Sequence, residues 1–163
     1  LFKKKNFPLM RTPDAIDRRI LQLLQSDAKL TNKEIAVRLG MTTTPVYERI
    51  KRLEAEGYIR RYVALLDRER LGYHLVAYCN VQLKEHAKRY LDRFEKEVRQ
   101  LEEVVECYHI AGQFDYLLKV VATDISAYHR FIVDKLAALE NIGNVQSMFV
   151  MREIGHSTAL PVE

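Results

Sequence analysis

The sequence has no stretch approaching the roughly 18 apolar residues that a membrane-spanning helix requires, so no membrane partner is expected. The first ten residues, LFKKKNFPLM, are basic and apolar, yet they lack the long apolar core and small-residue cleavage site of a secretory signal. Residues 1–13 read as a flexible basic arm. Cysteine is scarce. Cys79 and Cys107 each sit inside an apolar run with no metal-like spacing, which fits buried free thiols in the reducing cytoplasm. The five histidines, His74, His86, His109, His129 and His156, show no HxxxH spacing. Phosphate-loop, GxGxxG and GxSxG motifs are absent as well. Glu106 and Asp115 are the only acids close to a turn between two apolar runs, and neither has an obvious partner base. The chain is therefore not expected to be an enzyme, and no metal or cofactor is expected.

What is present is an uneven division of charge. Residues 1–62 carry 14 Lys and Arg against 7 Asp and Glu, whereas residues 63–163 carry 12 against 15. A basic first third beside a mildly acidic remainder points to an anion-seeking module joined to something else. The periodicity agrees. Ile16, Ile20, Leu23 and Leu24 form the stripe of a helix introduced by Pro13 and Asp14. Thr31 and Glu34 have capping-box spacing at the start of a second helix, whose apolar side is Ile35, Ala36 and Leu39. Gly40 suits its end. Thr42 or Thr43 can serve as the N-cap of a third helix, with Pro45 in the first turn.

In that third helix Val46, Ile50 and Leu53 recur at i, i+4 and i+7 and should face the core. At about 100° per residue, the opposite face carries Thr44, Glu48, Lys51 and Arg52, with Tyr47 at its edge. Three short helices with a tight turn at 40–42 make a helix-turn-helix. Short hydroxyl and aromatic side chains at the start of the last helix can approach base edges of double-stranded DNA, while Lys and Arg further along reach phosphates. Helix-start N–H groups near Thr31, Asn32 and Thr43 can also bind phosphate. Arg49 lies nearer the buried edge and suits a phosphate or an intramolecular carboxylate. A protein-binding bundle with a solvated basic face has the same pattern, so both readings stand at this point.

After Gly57 the period changes. Residues 58–67 are rich in β-branched and aromatic side chains and predict a linking strand. In 75–83 Leu75, Ala77, Cys79, Val81 and Leu83 share one face. Residues 87–101 return to helical spacing, 104–110 and 116–122 predict strands around GQFD, and 145–153 predicts a closing strand. Between the last two strands a helix should turn Ile125, Tyr128, Phe131, Ile132, Leu136 and Leu139 inward. The order is βαββαβ, a ferredoxin-like α+β arrangement with helices on one sheet face. The other face presents Val76, Tyr78, Asn80 and Gln82, with Val120 or Val121 and Met148 or Phe149. An open, partly apolar sheet of this kind predicts packing against a second copy. The turn AGQFDYLL, 111–118, combines Gly112, loop amides and Asp115. Amides for a carboxylate and a carboxylate for an ammonium suit a free amino acid, and they equally describe a plain hairpin turn capped by Asp115.

The stretches IDRRILQLLQSDAKLTNKEIAVRLG, TPVYERIKRLEAEGYIRRYVALLD, LEEVVEC, AGQFDYLLKV, DISAYHRF and VMREI together resemble the leucine-responsive regulatory protein family, Lrp/AsnC, from Asp14 to about Thr158. The resemblance implies a DNA-binding transcriptional regulator with a winged-helix-like helix-turn-helix and a C-terminal effector-binding and oligomerisation domain. It implies a homodimer, often assembled into an octamer as a tetramer of dimers, with an amino acid between dimers beside the GxFDY turn. By position, Gly112, Gln113, Phe114, Asp115 and Tyr116 would line that pocket, and Ser147 matches a threonine position in some relatives. Thr43, Thr44, Tyr47, Lys51 and Arg52 would carry the DNA surface, and Arg49 matches a family arginine. Departures at Gln113 and at Met148-Phe149 leave the amino acid's identity open. The expected organisation is an arm at 1–13, a helix-turn-helix domain at 14–62, a linker at 63–72, a ferredoxin-like domain at 73–158 and a tail at 159–163. The competing reading is a small-molecule-sensing oligomer whose basic helices contact protein. Salt dependence separates the two, because phosphate-driven binding weakens steeply with salt.

Overall fold

The computed structural model describes residues 11–163 and divides them into two compact units. One comprises the residues up to Leu65 together with Gly155–Glu163, and the other spans Leu66–Ile154.

The first unit contains α1 (Ala15–Ser26), α2 (Asn32–Leu39) and α3 (Thr43–Ala55). Asp14 and Asp17 start α1 with a reciprocal capping box, in which the Asp17 N–H donates to Asp14 at 2.9 Å and the Asp14 N–H donates to Asp17 at 3.0 Å. Thr31 and Glu34 form the corresponding box on α2, at the expected spacing. Gly40 closes α2 at φ 64°, a left-handed conformation that costs glycine little. Thr42 is the N-cap of α3, but its hydroxyl accepts no capping hydrogen bond, so the expected side-chain cap from Thr42 or Thr43 is absent. Ile20, Leu24, Ile35, Ala36, Val46, Ile50 and Leu53 form the core, with Ile16, Leu23, Tyr58 and Ile59 partly buried around it.

The strand expected at 58–67 does not form. Tyr58 and Ile59 pack on the helical core, and the Ile59 N–H donates to Leu53 C=O at 3.2 Å. Beyond them Val63, Leu65 and Leu66 are exposed. Strand propensity only marks a segment that fits a pleated surface, and no neighbouring edge in this chain pairs with it.

The second unit contains β1 (Leu75–Leu83), α4 (Lys88–Val98), β2 (Val104–His109), β3 (Tyr116–Ala122), α5 (Ile125–Arg130) and β4 (Ile142–Phe149). This is the expected βαββαβ order. The sheet order is β2-β3-β1-β4 with antiparallel neighbours throughout. α5 runs on into a π-helical turn at Phe131–Leu136, closed by the Ala137 N–H donating to Ile132 C=O at 2.8 Å. No period-3.6 reading reveals such a widening, which here accompanies burial of both Phe131 and Leu136. Ile125, expected inward, is 57% exposed at the first turn of α5. β4 begins and ends earlier than the predicted 145–153, and α4 stops at Val98.

The register settles the sheet faces. Ala77, Cys79, Val81 and Leu83 of β1 pack with Tyr116, Leu118, Val120 and Ala122 of β3 under Phe94, Val98, Tyr128, Phe131 and Leu136. Val121 pairs with Val76 and Met148 with Tyr78, which puts these residues on the helix-free face. Phe149 lies opposite Ala77 on the helix side, edge-on to Tyr128 with ring centroids 5.0 Å apart.

Candidate functional site

Two clusters of site residues form, one in each unit. On α3, Thr44, Tyr47, Glu48 and Lys51 are exposed, as the helical wheel predicts, and Thr43 in the first turn is exposed as well. The Lys51 ammonium donates to Glu54 at 2.9 Å and stands 5.9 Å from the Tyr47 ring centroid. The Glu54 hydrogen bond holds the ammonium above its usual range, and the same bond, with a second from the Tyr62 hydroxyl, holds the Glu54 carboxyl below its own. Lys51 is thus charged, with most of its surface in solvent. Asn32 of α2 shares a shallow groove with Tyr47 and Lys51.

The arginines behave differently. Arg49 donates to Asp14 at 2.6 Å and to Asp17 at 2.7 Å, which selects the intramolecular carboxylate over a phosphate. Arg52 was expected on the DNA surface, but its guanidinium donates to Asp17 at 2.6 Å and is mostly covered. Asp17 is fully buried, so both arginines are drawn toward the first turn of α1, where an uncompensated buried carboxylate would be very costly. The Arg49 hydrogen bond, helped by the Asp17 N–H, lowers the Asp14 carboxyl to about 2. Asp17 was the residue sequence reasoning missed. Its signal was the Asp14-x-x-Asp17 spacing, which marks a capping box before an apolar stripe.

Thr31 is occupied as well. Its N–H donates to Glu34 at 2.7 Å and its hydroxyl accepts the Glu34 N–H at 3.2 Å. The Thr31 N–H, together with the Thr31 hydroxyl that donates to the same carboxylate at 2.8 Å, holds the Glu34 carboxyl below its usual range, so a negative charge already sits at the start of α2, where a phosphate was expected.

In the second unit the turn between β2 and β3 is pinned at its base. The Ile110 N–H donates to Asp115 C=O at 2.9 Å, and the Asp115 N–H donates to Val81 C=O at 2.9 Å. Gly112 takes φ 137°, a conformation that side chains rarely adopt. The Asp115 carboxylate accepts the Leu83 N–H at 2.8 Å and lies 3.0 Å from His86 Nε2. His86 is thus the partner base that the sequence did not reveal, brought in by the loop after β1. Among the described residues, the N–H groups of Gly112, Gln113 and Phe114 have no intramolecular acceptor. Amide donors and a carboxylate therefore stand within one turn.

Tyr116 and Ser147 do not join this turn. Tyr116 is buried, stacked on His109 with centroids 4.7 Å apart, and its hydroxyl donates to Glu95 at 3.1 Å. Burial pushes that hydroxyl's pKa well up. Strand alternation accounts for this placement, because the first residue of β3 points into the core. Ser147, opposite Cys79, accepts the Tyr128 hydroxyl at 2.5 Å on the helix side of the sheet. The same Tyr128 oxygen lies 3.0 Å from Cys79 Sγ. Cys79 is buried as expected, whereas Cys107 is exposed. Among the described residues no cluster of His, Cys, Asp and Glu could hold a metal, and no helix is long and apolar enough to cross a membrane.

Comparison with known proteins matches residues 76–160 to the Lrp/AsnC ligand binding domain and residues 13–60 to a winged helix-turn-helix DNA-binding domain. The leucine-responsive regulatory protein of Escherichia coli (strain K12) is 37% identical over 150 residues, covering 92% of each chain. Among solved structures, an AsnC family transcriptional regulator from Agrobacterium tumefaciens is 40% identical, with TM-score 0.86 over 91% of this chain and 96% of the other. A transcriptional regulator from Neisseria meningitidis in complex with L-Met is 38% identical, with TM-score 0.87 over 91% and 96%. The relatives are regulators rather than enzymes.

Proposed function

Because the chain belongs to the Lrp/AsnC family, and so is a DNA-binding transcriptional regulator with a ligand-binding domain, we propose that its regulation works through a free amino acid held at the 112–115 turn. The observation that carries this reading is the juxtaposition of unengaged amides at Gly112, Gln113 and Phe114 with the Asp115 carboxylate. A carboxylate has about four lone-pair sites, so Asp115 can accept an ammonium beside its Leu83 and His86 partners. The effector's carboxylate would meet the amides. L-Met is the natural first probe, since it is the ligand named for the Neisseria relative, followed by L-Leu for the leucine-responsive relatives. Tyr116 would support the turn from the core, and Ser147 would act only through Tyr128.

The DNA reading at residue level is that Thr43, Thr44 and Tyr47 face base edges in the major groove and Lys51 meets a phosphate. Arg49 and Arg52 hold α3 in place from behind. The partly apolar helix-free sheet face, where Tyr78, Leu117, Val121 and Met148 lie, supports a homodimer, and an octamer of four such dimers is the further assembly proposed by resemblance to the family. The assembly is assigned to the cytoplasm. Thermal-shift screening of the twenty amino acids tests the effector, because a ligand bound only by the folded state raises its unfolding temperature. No shift from any of them would remove the amino-acid reading.

A further inference from the structure

On α1, Gln22 lies opposite the buried Ile20 and Leu24, Gln25 lies beside it on the exposed flank, and both reach the segment 155–163. Gln25 Nε2 donates to Leu160 C=O at 2.8 Å, while Gln25 Oε1 accepts the Leu160 N–H at 3.0 Å. One side-chain amide thus satisfies both main-chain groups of one residue, as a neighbouring strand would. Gln22 Nε2 donates to Val162 C=O at 2.7 Å, and Gln22 Oε1 accepts from Arg19 Nη1 at 3.2 Å, which orients that amide.

The recognised segment is built for this pairing. In an extended chain, carbonyls two residues apart point the same way, so Leu160 and Val162 present theirs to one side. Their spacing of about 6.6 Å is near the rise of about 4.5 Å between helix positions three apart, a gap that long glutamine side chains bridge. Pro161 stands between them. It has no N–H to leave unpaired, its ring fixes φ, and it biases Leu160 toward an extended conformation. Upstream, the Ala159 N–H donates to Ser157 Oγ at 3.1 Å and shapes the approach.

We propose that the Gln22–Gln25 edge of α1 is a backbone-recognition site for an extended, proline-containing segment, and that its resident ligand is the chain's own Leu160-Pro161-Val162. Leu160-Pro161-Val162 is then held within the helical unit to which Gly155–Glu163 belong. The helix it grips is the one whose Asp17 holds Arg49 and Arg52 of α3.

Amide hydrogen exchange of Leu160 in the full chain, read by NMR, tests this directly. Leu160 is 73% exposed, so without Gln25 its N–H should exchange like that of an unstructured peptide. The expected protection is about fivefold or more, the equilibrium equivalent of one net hydrogen bond, and Gln25→Ala should abolish it. A wild-type Leu160 amide that exchanges at the unstructured rate, or one protected equally in Gln25→Ala, overturns the proposal. Gln22→Ala/Gln25→Ala supplies a second reading. Alanine is the better helix former, so glutamines that served only the helix would leave the helix-turn-helix unit equally or more resistant to unfolding. The proposal requires its unfolding temperature to fall.

Discussion

The two units solve the same problem of stability with different materials. The ligand-binding unit buries thirteen apolar side chains in one cluster between sheet and helices, and its ion pairs stay at the rim. Among its described residues the helix-turn-helix unit buries seven in its core cluster, and adds a fully buried Asp17 clasped by Arg49 and Arg52. A small helical unit has little apolar surface to cover, so a specific polar clamp carries more of the burden of fixing how its helices meet. Basic residues in a DNA-binding unit are thus not all offered to DNA. Of Arg49, Lys51 and Arg52 on α3, only Lys51 is free to face outward.

The largest effects should come from breaking each unit by its own means. Asp17→Asn keeps an acceptor for the Asp14 N–H but leaves two largely covered guanidinium groups without their shared charge. A loss of about 3–5 kcal/mol is expected, confined to the helical unit. Phe131→Ala should cost the ligand-binding unit a similar amount, about 3–5 kcal/mol, through the cavity it leaves. Hydrogen exchange resolved by residue reads both variants. Equal loosening of both units by either variant would show that their stabilities are not separable.

Next in size is Asp115→Asn. It preserves shape and one acceptor while removing the charge offered to an ammonium, a hydrogen bond worth about 1.5–3 kcal/mol. Most of the thermal shift produced by an effector amino acid should vanish, while DNA affinity without effector stays nearly intact. An equal shift in wild type and variant would reduce Asp115 to a turn cap that serves Leu83 and His86.

Smaller still is the contrast between Lys51→Ala and Arg52→Ala. Lys51→Ala should weaken binding to all duplexes and lower the salt slope by about one phosphate contact. Arg52→Ala should leave that slope unchanged and destabilise the helical unit instead. Salt titrations of both variants decide, and a shallower slope for Arg52→Ala would return that residue to the DNA surface.

These outcomes turn on a distinction between what periodicity can and cannot reveal. Val46, Ile50 and Leu53 announced the buried side of α3, and the alternation in 75–83 announced the inner face of β1, because burial follows the geometric period of the element. Gly40 and the Thr31/Glu34 box were legible for the same local reason. Partners distant in sequence were not. Nothing in α3 indicates that Arg52 meets Asp17, or that His86 reaches Asp115, because such pairs are set by how elements pack. Tyr116 and Ser147 differ from these pairs, because the family resemblance places both at the effector site while strand alternation, itself a local period, turns both toward the helices.

The smallest expected effect isolates the outer half of the clamp through pH. Arg49 and the Asp17 N–H lower the folded-state carboxyl of Asp14 from 3.8 to about 2. A depressed folded pKa means that the ionised form is favoured by folding, so the stabilisation is fully present above the unfolded value. It is lost as the pH falls from about 4 toward about 2, where the folded group also takes up its proton. Asp14 is partly open to solvent, so screening reduces the gain, and added salt should reduce it further. Asp14→Asn is the informative variant. Asparagine caps a helix about as well as aspartate, so the cap on α1 survives while the charge facing Arg49 is removed. The unfolding temperature of the helical unit should fall less steeply between pH 4 and pH 2 in the variant than in wild type, and the two curves should converge at the acid end. Parallel curves would mean that Asp14 contributes only its cap, leaving Asp17 as the sole carboxylate that holds the arginines of α3.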